Sequence, residues 1–400
     1  MATHTEKIGV LTATIVGMNA MIGAGILAIP SAFATHVGPA GIISFFLVAL
    51  AVWFMAQSIA RVAQAYPQEG SFYTYAAAWG GHSVGIIAGA SYLIGLCIAM
   101  GLLTYGAGNH LTLLFPCFSA HTWSVTTLIT IVLLNIIGVS ISALGQQILI
   151  ILTIFPLLAT IALCIPSCSI SHLTPFAPFG IKSIFSQMRI GAFCFFGFEA
   201  CASLFTIIKE PAKNLPRAIT YGLFAVTLLY LVFVAVLMLS VPLYLFQQFP
   251  GTVVEPLTQM FPQATWINTA ILIASISAIV GTLHSMIWSS GALLISFTKK
   301  LHNPITQKLL AFNMLNNRTT YGIIGFLIFT NFILLKGNNT FFNLTALFLL
   351  TSYTLSMIAL LKIPAEWRSK QNYITLVGIA SACLIAYFAL ENALSYVKHV

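Results

Sequence analysis

Long apolar runs separated by short polar turns cover almost the whole chain. They can be drawn at 8–36, 40–64, 82–114, 122–142, 145–166, 184–209, 216–240, 264–297, 320–336, 341–362 and 372–392. Each is long enough as a helix for the ~30 Å of hydrocarbon in a bilayer. The pattern predicts about eleven transmembrane helices in one all-α polytopic domain spanning residues 1–400. Two runs are interrupted. The first reads Asn19-Ala20-Met21-Ile22-Gly23-Ala24-Gly25-Ile26-Leu27-Ala28-Ile29-Pro30. Glycine weakens a helix by roughly 1 kcal/mol relative to alanine, and proline removes a donor and clashes with the preceding turn. Backbone freed in mid-membrane must be satisfied by protein, water or a ligand, so a broken first helix points at a site. Close packing of a neighbouring helix on Ala20, Ala24 and Gly25 is the alternative.

The second interrupted run is the sixth, Gly191-Ala192-Phe193-Cys194-Phe195-Phe196-Gly197-Phe198-Glu199-Ala200-Cys201-Ala202. A mid-span glutamate is costly, and such residues face the bundle interior or a water-filled cavity and usually act there. The chain has no Asp, and its other six glutamates, Glu6, Glu69, Glu210, Glu255, Glu366 and Glu391, fall in loops or near span ends. A neutral, hydrogen-bonded structural glutamate is the competing reading. The breaks divide the chain into five spans from 8 to 166, five from 184 to 362, and an extra helix at 372–392. Five is odd, so the second group enters from the opposite side, which is the arrangement of an inverted repeat whose discontinuous helices meet near the midplane.

Composition agrees: 59% of residues are apolar and 6% charged, and the mean hydropathy of +0.99 is beyond soluble domains. The formal net charge of +9 first raises the question of an acidic partner. With the N-terminus inside, however, Lys7, Arg61, Lys209, Lys213, Arg217, Lys299, Lys300, Lys308, Arg318, Lys362, Arg368 and Lys370 are cytoplasmic. Only Lys182, Arg189, Lys336 and Lys398 lie outside. This is the positive-inside asymmetry of a cytoplasmic (inner) membrane protein, and it leaves no basic face for nucleic acid. The first run is too long for a signal-peptide core and lacks a cleavage signature. Cys97, Cys117, Cys164, Cys168, Cys194, Cys201 and Cys383 show no metal spacing and read as small apolar residues, with a disulfide among Cys117, Cys164 and Cys168 as the alternative. No metal or cofactor is expected. A membrane enzyme needs an acid/base pair or nucleophile cluster near one face, which the sequence lacks; a channel needs a charge ring or a carbonyl filter, also lacking.

The segment Pro67-Gln68-Glu69-Gly70-Ser71-Phe72-Tyr73-Thr74-Tyr75, followed by Gly80, resembles the second cytoplasmic-loop signature of the amino acid, polyamine and organocation permease superfamily. Gly23-Ala24-Gly25 and Pro30 precede it in the right order. The run from Phe193 through Glu199 to Asn214-Leu215-Pro216-Arg217-Ala218-Ile219 resembles the superfamily's sixth span and following loop. It is most similar to the basic amino acid/polyamine antiporters that include the arginine/agmatine exchangers. The resemblance implies a leucine-transporter-like 5+5 fold, an amino acid substrate, proton or sodium coupling, and a homodimer. Many members have twelve spans, against eleven here. Some proton-coupled members carry a lysine in the fifth span, but no Lys, Arg, Asp or Glu occurs from His82 to Ser169.

On this reading the free N–H groups at Ala24, Gly25 and Ile26, a positive helix end, bind a carboxylate. Carbonyls near Met21, Phe193 and Phe196, beside Gly197, bind an α-ammonium. The side chain then lies near Cys97, Met100, Phe193, Phe196 and Trp288. That lining favours a neutral or aromatic side chain, while aromatic faces could also hold a guanidinium. Trp288 resembles a gating tryptophan of the antiporters, with a packing role as the alternative. Glu199 is the coupling candidate and His284 a pH-responsive one, His284 against a hydrogen-bonded packing histidine. The outer loop Val241–Pro262, rich in proline, could be a lid or could be inert. The functional expectation is a secondary amino acid transporter, with a non-transporting sensor and a cationic amino acid or polyamine exchanger as alternatives.

Overall fold

The chain leaves helical geometry where the glycines predict it. A computed structural model describes residues 7–397 except 24, 69, 138–142, 204, 206–207, 252, 302–303, 312–315, 336 and 363–371. Ala24, Glu6, Glu69, Lys336, Glu366, Arg368, Lys370 and Lys398 therefore lie outside the described residues. The first span is two helices, α1 (Val10–Met21) and α2 (Gly25–His36), bent by 50° at the break. Then follow α3 (Gly41–Ala65), α4 (Ser71–Leu114), α5 (Ala120–Ile137) and α6 (Ala143–Cys164).

The sixth span is broken more severely. After α7 (Ile181–Ser186), α8 (Met188–Phe193) ends in a run of turns over Cys194–Glu199, and α9 (Ala200–Ser203) follows. Gly197 is the pivot, with φ 111°, a conformation that L side chains rarely adopt. The remaining helices are α10 (Pro211–Ser240), α11 (Leu243–Gln248), α12 (Val254–Met260), α13 (Trp266–Lys300), α14 (Pro304–Ala311), α15 (Asn317–Leu334), α16 (Asn338–Lys362) and α17 (Asn372–Val397). Among the described residues eight helices are long and apolar enough to span a membrane, nine with the bent first pair. The shorter apolar helix α15 and the split sixth span are not counted among these.

Two boundaries differ from the sequence reading. The apolar pattern starts the third span at 82, but α4 begins at Ser71 and turns at Gly81, whose φ is 75°. The aromatic segment is thus a helical arm joined to the span by a glycine hinge. The apolar pattern starts the seventh span at 216, but α10 starts at Pro211, so Pro211 takes the first turn. Pro216 lies inside the helix, and Asn214 is no cap; its Nδ2 donates to the Lys209 carbonyl at 2.6 Å.

Helices α4 and α13 are the most enclosed, while α5 and α17 are peripheral. The central helix α1 packs on α10, α13, α6 and α9, and α17 packs on α16 and α3. At the end of the bundle carrying Lys209, Lys213, Lys299 and Lys300, the basic face, the segment before α1 meets the segment after α9. Ile8 and Ile208 form a parallel bridge, and Lys209 N–H donates to the Ile8 carbonyl at 2.9 Å. At the opposite end the Val241–Pro262 loop folds into α11 and α12, and Gly251 N–H donates to Ser31 Oγ of α2 at 3.1 Å. This loop is thus folded and tied to α2 at that end of the bundle. On the same face the Lys182 ammonium lies 2.8 Å from Glu391 on α17, which raises the lysine's pKa above its ordinary value.

Candidate substrate site at the two helix breaks

The two breaks touch. A Cβ on Gly197 would stand 2.5 Å from the Ala20 carbonyl oxygen and 2.7 Å from its carbon, and one on Gly25 would stand 3.0 Å from Cys194 Sγ. Glycine is therefore required at Gly197 by conformation and by space together. A cavity of about 20 Å³ lies between the breaks, walled by Gly23, Gly25, Phe193, Phe196, Thr282 and Met286 with Ala99 and Leu103 of α4. This is room for about one water molecule. No Lys, Arg, Asp or Glu lines it among the described residues.

The backbone groups freed at the first break have partners that the sequence does not advertise. Thr282 Oγ1 of α13 donates to the Asn19 carbonyl at 2.8 Å and lies 3.3 Å from the Ile22 carbonyl. The Met21 carbonyl, expected to be free for an ammonium, accepts from Gly23 N–H at 2.8 Å and from Tyr230 Oη of α10 at 3.3 Å. The expectation fails there because a buried carbonyl costs about 1–3 kcal/mol if left unsatisfied, and the bundle supplies hydroxyls. Around the second break the turn bonds run from Cys194, Phe195, Phe198 and Ala200 N–H to Gly191, Ala192, Phe195 and Gly197. They leave the Phe193 and Phe196 carbonyls outside the ladder among the described residues. At the start of α2, Gly25 and Ile26 N–H have no intrahelical acceptor, as in any first turn.

Glu199 is fully buried but turned away from this cavity. Its two carboxylate oxygens accept from Tyr92 Oη at 3.1 Å and from Gly197 N–H at 3.1 Å. Tyr353 Oη lies beside the same carboxylate without meeting hydrogen-bond geometry. Phe72 stacks on Tyr92 with centroids 4.1 Å apart and lies 5.6 Å from Tyr353, and Phe198 lies 5.4 Å from Tyr353. Glu199 thus pins the pivot glycine and ties α4 to the broken helix within a sealed aromatic cluster.

Comparison with known proteins bears on this arrangement. The amino acid permease family model matches residues 8–397. This chain belongs to the amino acid permease family. Among curated relatives, the branched-chain amino acid permease BcaP of Bacillus subtilis is 29% identical over 307 residues, covering 70% of this chain and 64% of that protein. The methylthioribose transporter of the same organism is 27% identical over 237 residues, covering 54% and 51%. The chain therefore spans between half and two thirds of these relatives' length. These relatives are permeases and transporters, not enzymes. Among solved structures, MhsT in complex with L-phenylalanine aligns with a TM-score of 0.64 at 13% identity, covering 95% of this chain and 98% of that one. The Eremococcus coleocola manganese transporter aligns at 0.61 and 11%, covering 95% and 84%. The leucine-transporter-like fold of a multi-pass membrane protein is thus the fold of this permease-family chain.

Of the residues expected at the site, Met21, Gly23, Gly25, Phe193 and Phe196 meet at the cavity, and Ile26 is buried in the first turn of α2. Ala24 lies outside the described residues. Trp288 and His284 do not line the cavity; Thr282 and Met286 of α13 do. Residues 282 and 286 share one helical face, and 284 and 288 share the opposite one, so a two-residue error in register exchanges the faces. His284 is buried within the bundle and Trp288 half-buried. Cys97 and Met100 do not line the cavity either, whereas Ala99 and Leu103 of α4 do. All seven cysteines are free; Cys168 Sγ lies 3.1 Å from Ser240 Oγ, which leaves the disulfide alternative without support. Thr282 and Tyr230 were missed because nothing in a single sequence marks a hydroxyl two hundred residues away as the partner of a helix break.

Replacing Thr282 by valine keeps the shape and removes the donor to Asn19 and Ile22. Its expected result is a loss of about 1–3 kcal/mol of stability, read as a lower melting temperature of the detergent-solubilised protein, with Thr282→Ser restoring it.

Proposed function

We propose that this chain is a secondary active amino acid transporter of the cytoplasmic (inner) membrane, its N-terminus inside, working by alternating access. One observation carries this reading: two helix breaks in direct contact around an uncharged cavity, with backbone groups on both walls that have no partner among the described residues. The substrate carboxylate binds Gly25 and Ile26 N–H at the positive end of α2. The ammonium binds the Phe193 and Phe196 carbonyls; Met21, already engaged, is not a ligand. Helices 8–166 and 184–362 act as the two inverted units, with 372–392 accessory.

The apolar walls at Leu103, Phe193 and Met286 favour a neutral, aliphatic or aromatic side chain. One relative is a branched-chain amino acid permease and one structural neighbour was solved in complex with L-phenylalanine, and both point in the same direction. A cationic or polyamine exchanger is less favoured, since no carboxylate faces the cavity among the described residues. Thr282 and Tyr230 satisfy the carbonyls of the first break with hydroxyls of the protein itself, which supports exchange or proton coupling over sodium coupling. Glu199 is the group that would couple, through its bonds to Tyr92 and to the pivot Gly197.

The test is uptake of labelled L-leucine and L-phenylalanine into proteoliposomes, with and without internal amino acid, at two pH values, in sodium or choline. Uptake requiring internal amino acid identifies an exchanger, and stimulation by an inward proton gradient a symporter. Binding without uptake in any condition overturns transport in favour of a sensor. Within this reading, Met286→Ala enlarges the cavity and is expected to shift preference toward bulkier side chains in competition assays, whereas Trp288→Phe leaves the preference unchanged.

A further inference from the structure

On the flank of the bundle, at the end opposite the basic face, lies a groove of about 320 Å³. Tyr105 of α4, His121 of α5, Phe332 and Ile333 of α15, and Asn338 and Phe341 of α16 line it. Behind it Gly101 brings these helices together: a Cβ there would stand 3.0 Å from the Phe341 ring and 3.5 Å from the Phe332 amide nitrogen. Phe332 and Phe341 are buried in that contact, and the His121 ring stacks on Phe332 with centroids 5.1 Å apart.

The groove is continuous with the membrane-facing surface. Ile129 and Leu133 of α5 and Phe326, Ile333 and Leu334 of α15 are exposed apolar side chains on peripheral helices of a multi-pass membrane protein, where acyl chains rather than water cover them. Its depth runs from the headgroup level into hydrocarbon. Phe115, Phe118 and Trp123 form an aromatic belt beside its upper end, the Trp123 indole N–H donating to the Phe115 carbonyl at 2.9 Å. Tyr105 lies about 13 Å of helix rise below the end of α4 at Leu114. The polar groups sit at the upper end, where His121 opens α5 and Asn338 opens α16, and both side chains carry N–H donors. No Lys, Arg, Asp or Glu lines the groove among the described residues.

We propose that this groove holds one zwitterionic phospholipid, with an acyl chain on Phe332, Ile333 and Phe341 and the phosphate bonded by His121 and Asn338. An uncharged lining offers a phosphate donors but no counter-charge, so the headgroup must bring its own ammonium. A free fatty acid brings none. Tyr105 and Asn338 also border an inner chamber of about 210 Å³, so the lipid completes the wall between the bundle interior and the bilayer. The site goes beyond the transport reading and does not depend on which solute is carried.

The experiment is native mass spectrometry of the full chain, purified in mild detergent from membranes containing phosphatidylethanolamine. The proteins compared are wild type, Ile333→Trp, Asn338→Leu and Phe326→Trp. Ile333 stands exposed at the mouth, where an indole fills the groove; Phe326 is exposed on the same helix outside it. Expected is one phospholipid retained per chain by wild type and Phe326→Trp, and none by Ile333→Trp. Asn338 stands at an exposed helix start, so its variant keeps the fold. Lipid titrated back into delipidated Asn338→Leu binds about tenfold more weakly than to wild type, the loss of one hydrogen bond to a charged group. Phosphatidylethanolamine added back raises the melting temperature of delipidated wild type and not that of Ile333→Trp, and oleate raises neither. Wild type without a retained phospholipid, equal retention by Ile333→Trp, or a rise with oleate as large as with phosphatidylethanolamine overturns the site.

Discussion

Gly197→Ala abolishes uptake. The residue has φ 111°, and adopting a left-handed backbone costs an L residue about 1–2 kcal/mol. The larger effect is steric. The new methyl would meet the Ala20 carbonyl at 2.5 Å for oxygen and 2.7 Å for carbon. Both are backbone atoms of the other broken helix, so no side chain can swing aside. The breaks must separate, and the carboxylate and ammonium ligands proposed at the start of α2 and at Phe193 and Phe196 lose their spacing. A tenfold change in rate corresponds to about 1.4 kcal/mol, so a fall in proteoliposome uptake of well over tenfold is expected. Gly180→Ala is the control: its φ is 77°, yet nothing lies within 4 Å of the added methyl. It shares the backbone strain and lacks the contact. Uptake by Gly197→Ala equal to that of Gly180→Ala would sink the assignment of the touching breaks as the site.

Glu199→Gln is expected to leave the fold intact, reduce uptake about tenfold, and flatten its pH dependence. Glutamine has the glutamate's shape, and its amide can be turned so that the oxygen accepts from Gly197 N–H while the nitrogen donates to Tyr92 Oη. What it cannot do is carry a negative charge or exchange a proton. Bonds to a charged acceptor contribute about 1.5–3 kcal/mol and neutral ones about 1 kcal/mol, so the grip on Gly197 weakens by an amount that corresponds to about tenfold. The readout is uptake at a series of pH values alongside the melting temperature. If uptake and its pH profile both match wild type, Glu199 is a structural hydrogen-bond acceptor and the coupling group lies elsewhere.

The chain's sequence by itself determined the class and the two places that matter. Runs of apolar residues too long for anything but a membrane helix, lysines and arginines gathered on alternate loops, and glycines that no stable span would place at Gly23, Gly25 and Gly197 are local signals. Their physics is decided within a dozen residues. Glu199 is legible for the same reason, since a carboxylate in hydrocarbon needs a partner whatever the partner is. The tertiary structure alone decided which partner: Tyr92 and the Gly197 amide, one from another span and one from two residues away. It decided that Thr282 and Tyr230 satisfy the first break, and that Met286 rather than Trp288 faces the cavity. Rotation of a helix about its axis is fixed by what surrounds it, and α13 is enclosed on almost every side, so its apolar pattern carries no phase. A buried polar group is announced by the chain; its hydrogen-bond partner is chosen by the packing.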